Sequence, residues 1–307
     1  MDELIYWLAL HEIRDKIDVS SVPKMIEHFG SIEGFWKAGK TELTAFGWDP
    51  LMANTFIDFA NKQKFSWYEQ QLYLVDEEKI RIVKYTDEEY PPQLKLAKTL
   101  KYQPPLLLFV KGNLRDCKKC VAVVGTRNAS HSALTRARQL SKNLAKNGYT
   151  IVSGLARGID HEAHCGALDV EGKTIATLAW MVPIYPDEHT ELAGEIERHG
   201  AIISELFKEP RYLNDKYGTY SKSRFVVRNR IISGISNFVV AVESGPDGGT
   251  IRQVDLALSQ KKPVYVLEPE NDVSEEKKIG YRRILGMGAK SIIDLEDITN
   301  INHFIKF

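Results

Sequence analysis

The stretch Cys120–Arg127, with the sequence CVAVVGTR, decides the fold class of this 307-residue chain. Its first five residues form an uninterrupted small and apolar run, and Gly125 follows directly. Such a run, without the polar alternation of a half-exposed strand, is typical of a parallel strand that is buried on both faces. The stretch therefore predicts an internal strand with a glycine-containing loop at its carboxyl end.

Further short apolar runs follow this strand, and helical stretches separate them. These runs are Thr150–Val152, Thr174–Leu178, Ala201–Ile203, Phe238–Val242 and Val264–Leu267. Strands that alternate with helices form parallel sheets that are covered by helices on both faces. We therefore predict an α/β fold with a doubly wound, mostly parallel sheet.

The amino-terminal part of the chain, residues 1–78, has a different pattern. Ile5, Leu8 and Ile13 are spaced as on one face of a helix, and strand patterns are almost absent. These residues predict a small helical domain. The stretch Phe29–Gly47 resembles a SAM-like or helix-hairpin-helix module, and a docking bundle without DNA contact fits the pattern equally well.

Two further boundaries follow the amino-terminal domain. Residues 79–115 contain proline pairs at 91–92 and 104–105, which predict extended edge segments and turns that pack on the sheet. We expect the doubly wound domain to occupy residues 116–299 and a short tail to occupy residues 300–307.

Composition limits the classes of function. The formal net charge is zero, with 41 basic and 41 acidic residues, so nucleic-acid binding would depend on a local basic surface. No apolar run reaches the length that a bilayer requires, and Asp2 and Glu3 lie where a signal peptide carries positive charge. Three cysteines do not make a disulfide framework. We therefore expect a cytoplasmic protein without disulfides or membrane association.

Three loops follow predicted strands at their carboxyl ends, where open α/β sheets bind ligands. Gly125–Ser130 contains a glycine, hydroxyl groups and the guanidinium of Arg127. Ser153–Asp160 and Glu243–Thr250 each contain glycines and lead into a predicted helix, whose free N–H groups favour an anion. The three loops therefore predict a site for a phosphate-bearing ligand.

The segment Ser221–Arg230 is the best local basic patch of this neutral chain, with four basic residues and no acidic one. Arg224 and Arg228 share a helical face at a spacing of four, which favours phosphate contact. An alternative is that one arginine, foremost Arg230, is buried and pins the helix against neighbouring carbonyls or Glu243. The sequence leaves both interpretations open.

Several familiar ligand sites are missing or incomplete. No G-x-G-x-x-G follows the first strand and no G-x-x-x-x-G-K-[ST] occurs, so neither a nicotinamide site nor a P-loop is predicted. Cys117 and Cys120 resemble half of a zinc site, but His161–Cys165 has the wrong spacing for the other half. We therefore expect no metal and no cofactor.

A hydrolytic triad is the remaining catalytic interpretation. Asp160 and His164 lie one helical turn apart and, with Ser153, contain the residue types that such a triad needs. No G-x-S-x-G elbow is present, however, and a histidine in this position is more often a hydrogen-bonding strut. We expect no catalytic residue.

Four motifs occur in a fixed order: VVGTR from Val123, IVSGLARGID from Ile151, FVVRNRIISGIS from Phe225 and VESG from Val242. Each is modest alone, but the ordered set is specific. In order and spacing they resemble the DNA-processing protein A (DprA/Smf) family of bacterial recombination mediators, and the similarity runs from about residue 80 to about residue 295.

The resemblance implies an extended Rossmann-like fold and a homodimer that binds single-stranded DNA with little sequence preference. It also implies that the DNA passes to a RecA-type recombinase during DNA uptake, natural transformation or recombination, without an enzymatic step. Phe225 and Tyr185 are candidate platforms for base stacking. The predicted DNA- and phosphate-binding residues are Gly125, Thr126, Arg127, Ser130, Ser153, Gly154, Gly158, Lys222, Arg224, Arg228, Asn229, Arg230, Gly245, Gly249 and Thr250.

Two stretches depart from the family pattern. Trp180–Pro183 replaces a glycine-rich turn and Leu267–Pro269 replaces V-P-G, and we expect the bulk of these side chains and the charge of Glu268 to narrow or partly neutralise the groove. The loop Gly245–Thr250 also resembles the P-G-G-x-G-T of phosphoribohydrolases, with Gln253 where those enzymes have a glutamate. A pocket that binds or hydrolyses a nucleotide is therefore the alternative function.

Overall fold

The computed structural model describes residues 2–115, 118–208 and 220–293, and for residues 220–222 it describes the backbone alone. The predicted tail, residues 300–307, lies outside the described residues. Among the described residues, no helix has both the length and the hydropathy of a membrane-spanning segment.

The chain divides into two compact units. The first contains Met1–Tyr90 and Pro105–Leu108, and the second contains Pro91–Pro104 and Phe109–Phe307. The stretch 79–115, which we expected to form a separate bridge, is therefore shared between the two units.

The described part of the first unit is mainly helical, as predicted. Gly30 ends one helix in the left-handed region, with φ of 78°, and the side chain of Ser31 caps the next. The core is aromatic, since the ring of Phe56 lies 4.6 Å from Phe35 and 5.1 Å from Trp36. The elements are α1 (Glu3–Glu12), α2 (Val22–Phe29), α3 (Ile32–Lys37), α4 (Lys40–Ala45), α5 (Pro50–Asn61), α6 (Phe65–Glu77) and β1 (Arg81–Lys84).

A mostly parallel sheet forms the centre of the second unit. Its strands are β2 (Leu107–Gly112), which belongs to this unit from Phe109 onward, β3 (Cys120–Val124), β4 (Thr150–Ser153), β5 (Thr174–Leu178), β6 (Ala201–Ser204), β7 (Phe238–Ala241), β8 (Val264–Leu267) and β9 (Lys290–Ile292). They follow the order β2-β6-β5-β4-β3-β7-β8-β9. β2 is antiparallel to β6, with Phe109 opposite Ser204, and the other pairings are parallel.

The buried apolar runs predicted from sequence are confirmed as strands β3 to β8. Every residue of β3 is buried, because alternate side chains point to opposite faces of the sheet and helices cover both faces. On one face, Val121 and Val123 pack in a core with Ala137 and Leu140. The short edge strand β9 has one buried residue, which explains why no apolar run marked it.

Helices connect these strands and cover the sheet. They are α7 (Pro92–Lys95), α8 (His131–Lys146), α9 (Ile159–Leu168), α10 (Thr190–His199), α11 (Tyr220–Ile235), α12 (Gly249–Ser259) and α13 (Glu275–Gly286). The side chain of Ser130 caps α8 by accepting a hydrogen bond from the backbone of Ala133 at 3.2 Å, which fixes where the loop after β3 ends.

The strand order reverses beside β3. From β3 the chain builds outward through β4, β5 and β6, and it then returns to place β7 against the other side of β3. Ala122 of β3 is paired with Val152 on one side and with Val239 on the other. The loops that leave β3 and β7 therefore diverge, and the crevice between them is the expected ligand position in a doubly wound sheet.

Candidate functional site

A cavity of about 350 Å³ lies at this crevice, beside the loops after β3 and β7 and the facing sides of α11 and α12. Such a volume is within the range of small-ligand sites in proteins. The predicted binding residues that line it are Gly125, Thr126, Arg127, Arg228, Asn229, Gly245, Gly249 and Thr250. The structure therefore brings together eight of the fifteen predicted residues.

Three other predicted residues support the loops from behind. Ser130 donates from its hydroxyl to the carboxylate of Glu243 at 2.6 Å, and Ser153 donates to the carbonyl of Val123 at 2.7 Å. Gly158 has a φ of 75°, and a Cβ there would lie 2.6 Å from the carbonyl oxygen of Thr126. These residues position the loops and do not line the cavity.

The basic residues of the segment Ser221–Arg230 lie on different faces of α11 and have different surroundings. The guanidinium of Arg230 forms a 2.7 Å ion pair with Glu205, both side chains being 7% exposed, and it also donates to the carbonyl of Gln103 at 3.1 Å. Arg230 is therefore buried, in line with the alternative interpretation of the basic segment, although its acidic partner is Glu205 and not Glu243; it does not line the cavity. Arg224 does not line the cavity, and the side chain of Lys222 lies outside the described residues.

Arg228 is also buried, but it does line the cavity. One guanidinium nitrogen donates to the carbonyl of Thr177, and the Nε has no hydrogen-bond partner among the described residues. Burial lowers the pKa of Arg228 to about 10, although the negative charge of Asp160 opposes this shift. The group remains a cation at neutral pH and places positive charge at the cavity wall.

Asp160 is the carboxylate that faces Arg228 across the same wall. Burial raises its pKa, while the charge of Arg228 and the backbone N–H of Ala156 act in the opposite direction. Its Oδ2 accepts hydrogen bonds from the backbone of Gly154 at 3.2 Å and of Ala156 at 3.3 Å. Asp160 therefore fixes the loop after β4, a role that the sequence did not reveal.

Aromatic side chains lie at the rim of the cavity. The guanidinium of Arg127, which is exposed, lies 5.6 Å from the ring of Phe225. The ring of Phe225 lies 5.2 Å from Trp180 and 5.7 Å from Tyr185. Tyr185 is 47% exposed and, with Arg127 and Phe225, lines a small pocket that shares Arg228 with the main cavity.

The two departures from the family pattern do not narrow the cavity as expected. Trp180 is buried and donates from its indole nitrogen to the carbonyl of Pro183 at 3.0 Å, so it supports the aromatic rim from below. Glu268 lies at a separate pocket, where its carbonyl accepts a hydrogen bond from Arg136. Neither residue lines the main cavity.

The loop after β7 leads directly into α12, and the amino terminus of this helix lies at the cavity. Gly248 caps the helix with extended backbone, and a Cβ at Gly249 would meet no other atom within 4 Å, which leaves open space beside the helix amino terminus. The free N–H groups of such a terminus favour an anion. At the following turn, the amide of Gln253 donates to the carbonyl of Asn229 at 3.0 Å, so this side chain also positions the wall.

No hydrolytic triad forms from the three candidate residues. The Nδ1 of His164 lies 2.7 Å from the hydroxyl of Thr174, which itself donates to a backbone carbonyl, and the hydroxyl of Ser153 is also engaged by a carbonyl. Burial lowers the pKa of His164 to about 3, so the ring is neutral at physiological pH. Within residues 2–115, 118–208 and 220–293, no cluster of side chains suited to a metal ion was found.

Comparison with known sequences identifies proteins that are similar to this chain. The profile of the family described as DNA recombination-mediator protein A matches residues 81–303. The DNA processing protein DprA of Bacillus subtilis is 32% identical over 225 residues, which is 72% of this chain and 71% of that protein. Protein Smf of Synechocystis is 30% identical over 303 residues, which is 95% of this chain and 70% of that protein.

Two solved structures share the fold. The X-ray structure of DNA processing protein A from Streptococcus pneumoniae superposes with a TM-score of 0.75 at 24% identity and covers 98% of both chains. DNA processing protein A from Helicobacter pylori, whose structure is described as giving insight into its single-stranded DNA binding mode, has a TM-score of 0.61 at 27% identity and covers 74% of this chain and 96% of that one. The extended Rossmann-like fold is confirmed, and the chain belongs to the DNA recombination-mediator protein A family.

Proposed function

We propose that this protein binds single-stranded DNA at the crevice between β3 and β7. The observation that carries the proposal is the combination of a buried cation, an exposed cation and a helix amino terminus around one cavity. Arg228 supplies the first, Arg127 the second and α12 the third. The single-stranded DNA binding described for the related Helicobacter pylori protein supports the same class of ligand.

The preference for single strands follows from the rim. A phosphate at the cavity accepts hydrogen bonds from the backbone of Gly249 and from the guanidinium of Arg127, while the exposed ring of Tyr185 offers a face to an unpaired base. In a duplex that base face is covered by its stacked neighbours. Because the net charge is zero, attraction depends on these local cations, and the affinity should fall as salt rises.

Family membership supports the rest of the proposed role. We propose that the protein passes the bound strand to a RecA-type recombinase, as a cytoplasmic homodimer, during DNA uptake, natural transformation or recombination. It acts by binding and without catalysis. In this proposal residues 116–299 carry the DNA site, residues 79–115 support the sheet, and residues 1–78 are an accessory domain.

A nucleotide pocket is the second candidate function, and the cavity volume of about 350 Å³ together with the glycine-rich loop Gly245–Thr250 favours it. Hydrolysis has little support, because Gln253 replaces the expected glutamate and its amide is engaged by Asn229. Asp160, an acidic side chain that does line the cavity, is held by the backbone of its own loop. This candidate is therefore a binding pocket for one nucleotide.

A competition titration separates the two candidates. Purified full-length protein is titrated against a labelled single-stranded oligonucleotide at low and moderate salt, with duplex DNA and free mononucleotides as competitors. Salt-sensitive binding that neither competitor displaces supports the single-strand site. Displacement by a mononucleotide, or absence of oligonucleotide binding, contradicts it and favours the nucleotide pocket.

A further inference from the structure

The loop between β3 and α8 carries Arg127 in its middle, and hydrogen bonds to Glu243 hold both of its ends. The backbone N–H of Thr126 donates to the carbonyl of Glu243 at 2.9 Å. At the other end, Ser130 donates to the carboxylate of Glu243 from its backbone at 3.1 Å and from its hydroxyl at 2.6 Å. One buried residue of the loop after β7 therefore fixes two points of the loop after β3.

A lysine from α13 fixes the same loop between these two points. The Nζ of Lys277 donates to the hydroxyl of Thr126 at 3.2 Å and to the carbonyl of Asn128 at 3.0 Å. It also lies 3.8 Å from the carboxylate of Glu243, and its side chain is 15% exposed. Lys277 therefore bonds to the residues directly before and after Arg127.

The helix that carries this lysine is packed closely against the second ligand loop. A Cβ on Gly280 would lie 2.0 Å from the carbonyl oxygen of Ser244, so the backbones are in direct contact there. Arg283, farther along α13, donates to the carbonyl of Pro246 at 2.7 Å. Because α13 is anchored on the loop after β7, Lys277 ties the two ligand loops to one another.

We infer that Lys277 is a positioning residue that holds Arg127 at the rim of the cavity. The ammonium is used by Thr126, Asn128 and Glu243, and Lys277 does not line the cavity. Its effect on a ligand is therefore indirect, through the direction in which the loop presents the Arg127 side chain. The inference rests on the proposed binding of DNA phosphate at this cavity.

We call the hydrogen bonds from Lys277 to Thr126 and Asn128, on either side of Arg127, the bracket. Hydrogen exchange in the free protein tests this bracket without any ligand. In the full-length Lys277→Met variant, the amides of residues 126–130 should exchange about 10-fold faster than in the wild type, because local opening costs less free energy. Lys278→Met is the matched control, since it removes the same charge from the same helix without touching the loop. Unchanged exchange in Lys277→Met overturns the inference.

Single-strand binding then tests the consequence for Arg127. Lys277→Met should weaken binding about 3–10-fold, since groups in one network couple, and it should add nothing in an Arg127→Ala background. The dependence of affinity on salt should stay unchanged in Lys277→Met, because no phosphate contact is lost. A flatter salt dependence in Lys277→Met means that the lysine contacts phosphate itself and contradicts a positioning role.

Two controls keep these results interpretable. If the wild type does not bind single strands, the proposed function fails, while the exchange experiment still decides whether the bracket exists. If Lys277→Met does not fold, Thr126→Val removes one acceptor of the lysine and keeps its charge. The Asn128 amide is left out of the comparison, because it donates to the Thr126 hydroxyl at 3.3 Å and loses that bond itself. Faster exchange of residues 129 and 130 in that variant supports the bracket, and unchanged exchange contradicts it.

Discussion

The guanidinium of Arg228 and the carboxylate of Asp160 meet at Gly154. A Cβ at this glycine would lie 2.0 Å from Nη1 of Arg228 and 2.7 Å from Oδ2 of Asp160. The loop after β4 therefore passes between two buried, oppositely charged groups with no room for a side chain. This contact joins the wall of the cavity to the loop after β4.

Replacing the glycine tests this contact. Gly154→Ala should destabilise the fold by about 1–3 kcal/mol, because a methyl group there forces both charged groups to move. Thermal unfolding measures the loss. Gly194→Ala on α10 is the control, since a Cβ there meets nothing within 4 Å, and alanine should be neutral or stabilising by up to about 1 kcal/mol. Equal melting temperatures for the two variants would contradict the close contact at Gly154.

The charge pair should make stability depend on pH. Burial raises the pKa of Asp160, so the folded state holds its proton more tightly than the unfolded chain does. The stability that this carboxyl contributes is therefore complete at low pH and is lost as the pH rises through its folded pKa. Arg228→Met removes the opposing cation and should raise that pKa further.

Unfolding of Arg228→Met should consequently show its largest loss of stability relative to the wild type at alkaline pH, where Asp160 is ionised in the wild type, and a smaller loss at acidic pH. The double variant Asp160→Asn with Arg228→Met should abolish this dependence, because an amide does not titrate. A loss that is constant with pH would mean that Asp160 carries no buried charge beside Arg228.

The ion pair between Arg230 and Glu205 should matter for stability and not for binding. Arg230→Met leaves a buried carboxylate without its partner and should cost about 3–5 kcal/mol in denaturant unfolding. Arg198→Met, which breaks an exposed pair with Glu195, should change stability by less than about 1 kcal/mol. A stable Arg230→Met protein with a flattened salt dependence of DNA binding would restore Arg230 as a phosphate contact.

Tyr185 should bind bases and not phosphates. Tyr185→Ala should lose about 1–3 kcal/mol of single-strand affinity with an unchanged salt dependence, and Tyr185→Phe should keep most of it. An oligonucleotide with an abasic stretch should bind the wild type and Tyr185→Ala equally. Tyr73→Ala, at a residue 63% exposed on α6, serves as the control. Equal losses on normal and abasic strands would contradict stacking.

The sequence predicted best the strands that are buried on both faces, because each appears as an uninterrupted apolar run. The run Cys120–Val124 has no polar position, which is unambiguous for a strand covered on both faces, and the glycine after it marked the loop that lines the cavity. An edge strand such as β9 has no such apolar run in the sequence, because most of its residues are exposed to solvent and are not part of the core.

Charge was a weaker guide than apolar pattern. Arg228 and Arg230 look alike in a basic segment, yet they contact different partners. The reason is that side chains two positions apart on a helix point in nearly opposite directions. Only the fold brings Glu205 to one of them and the cavity to the other. Lys277, which lies about 150 residues from the loop it holds, has no local signal in the sequence at all.

The most direct test of the DNA site is the salt dependence of single-strand binding by the wild type and Arg127→Ala. Arg127 is exposed and contacts the ring of Phe225, so its removal should leave the melting temperature unchanged. We predict weaker single-strand binding by Arg127→Ala and a logarithmic salt slope smaller by about one. Wild-type affinity and slope in Arg127→Ala, with Arg198→Ala as the matched control, would contradict phosphate binding at this cavity.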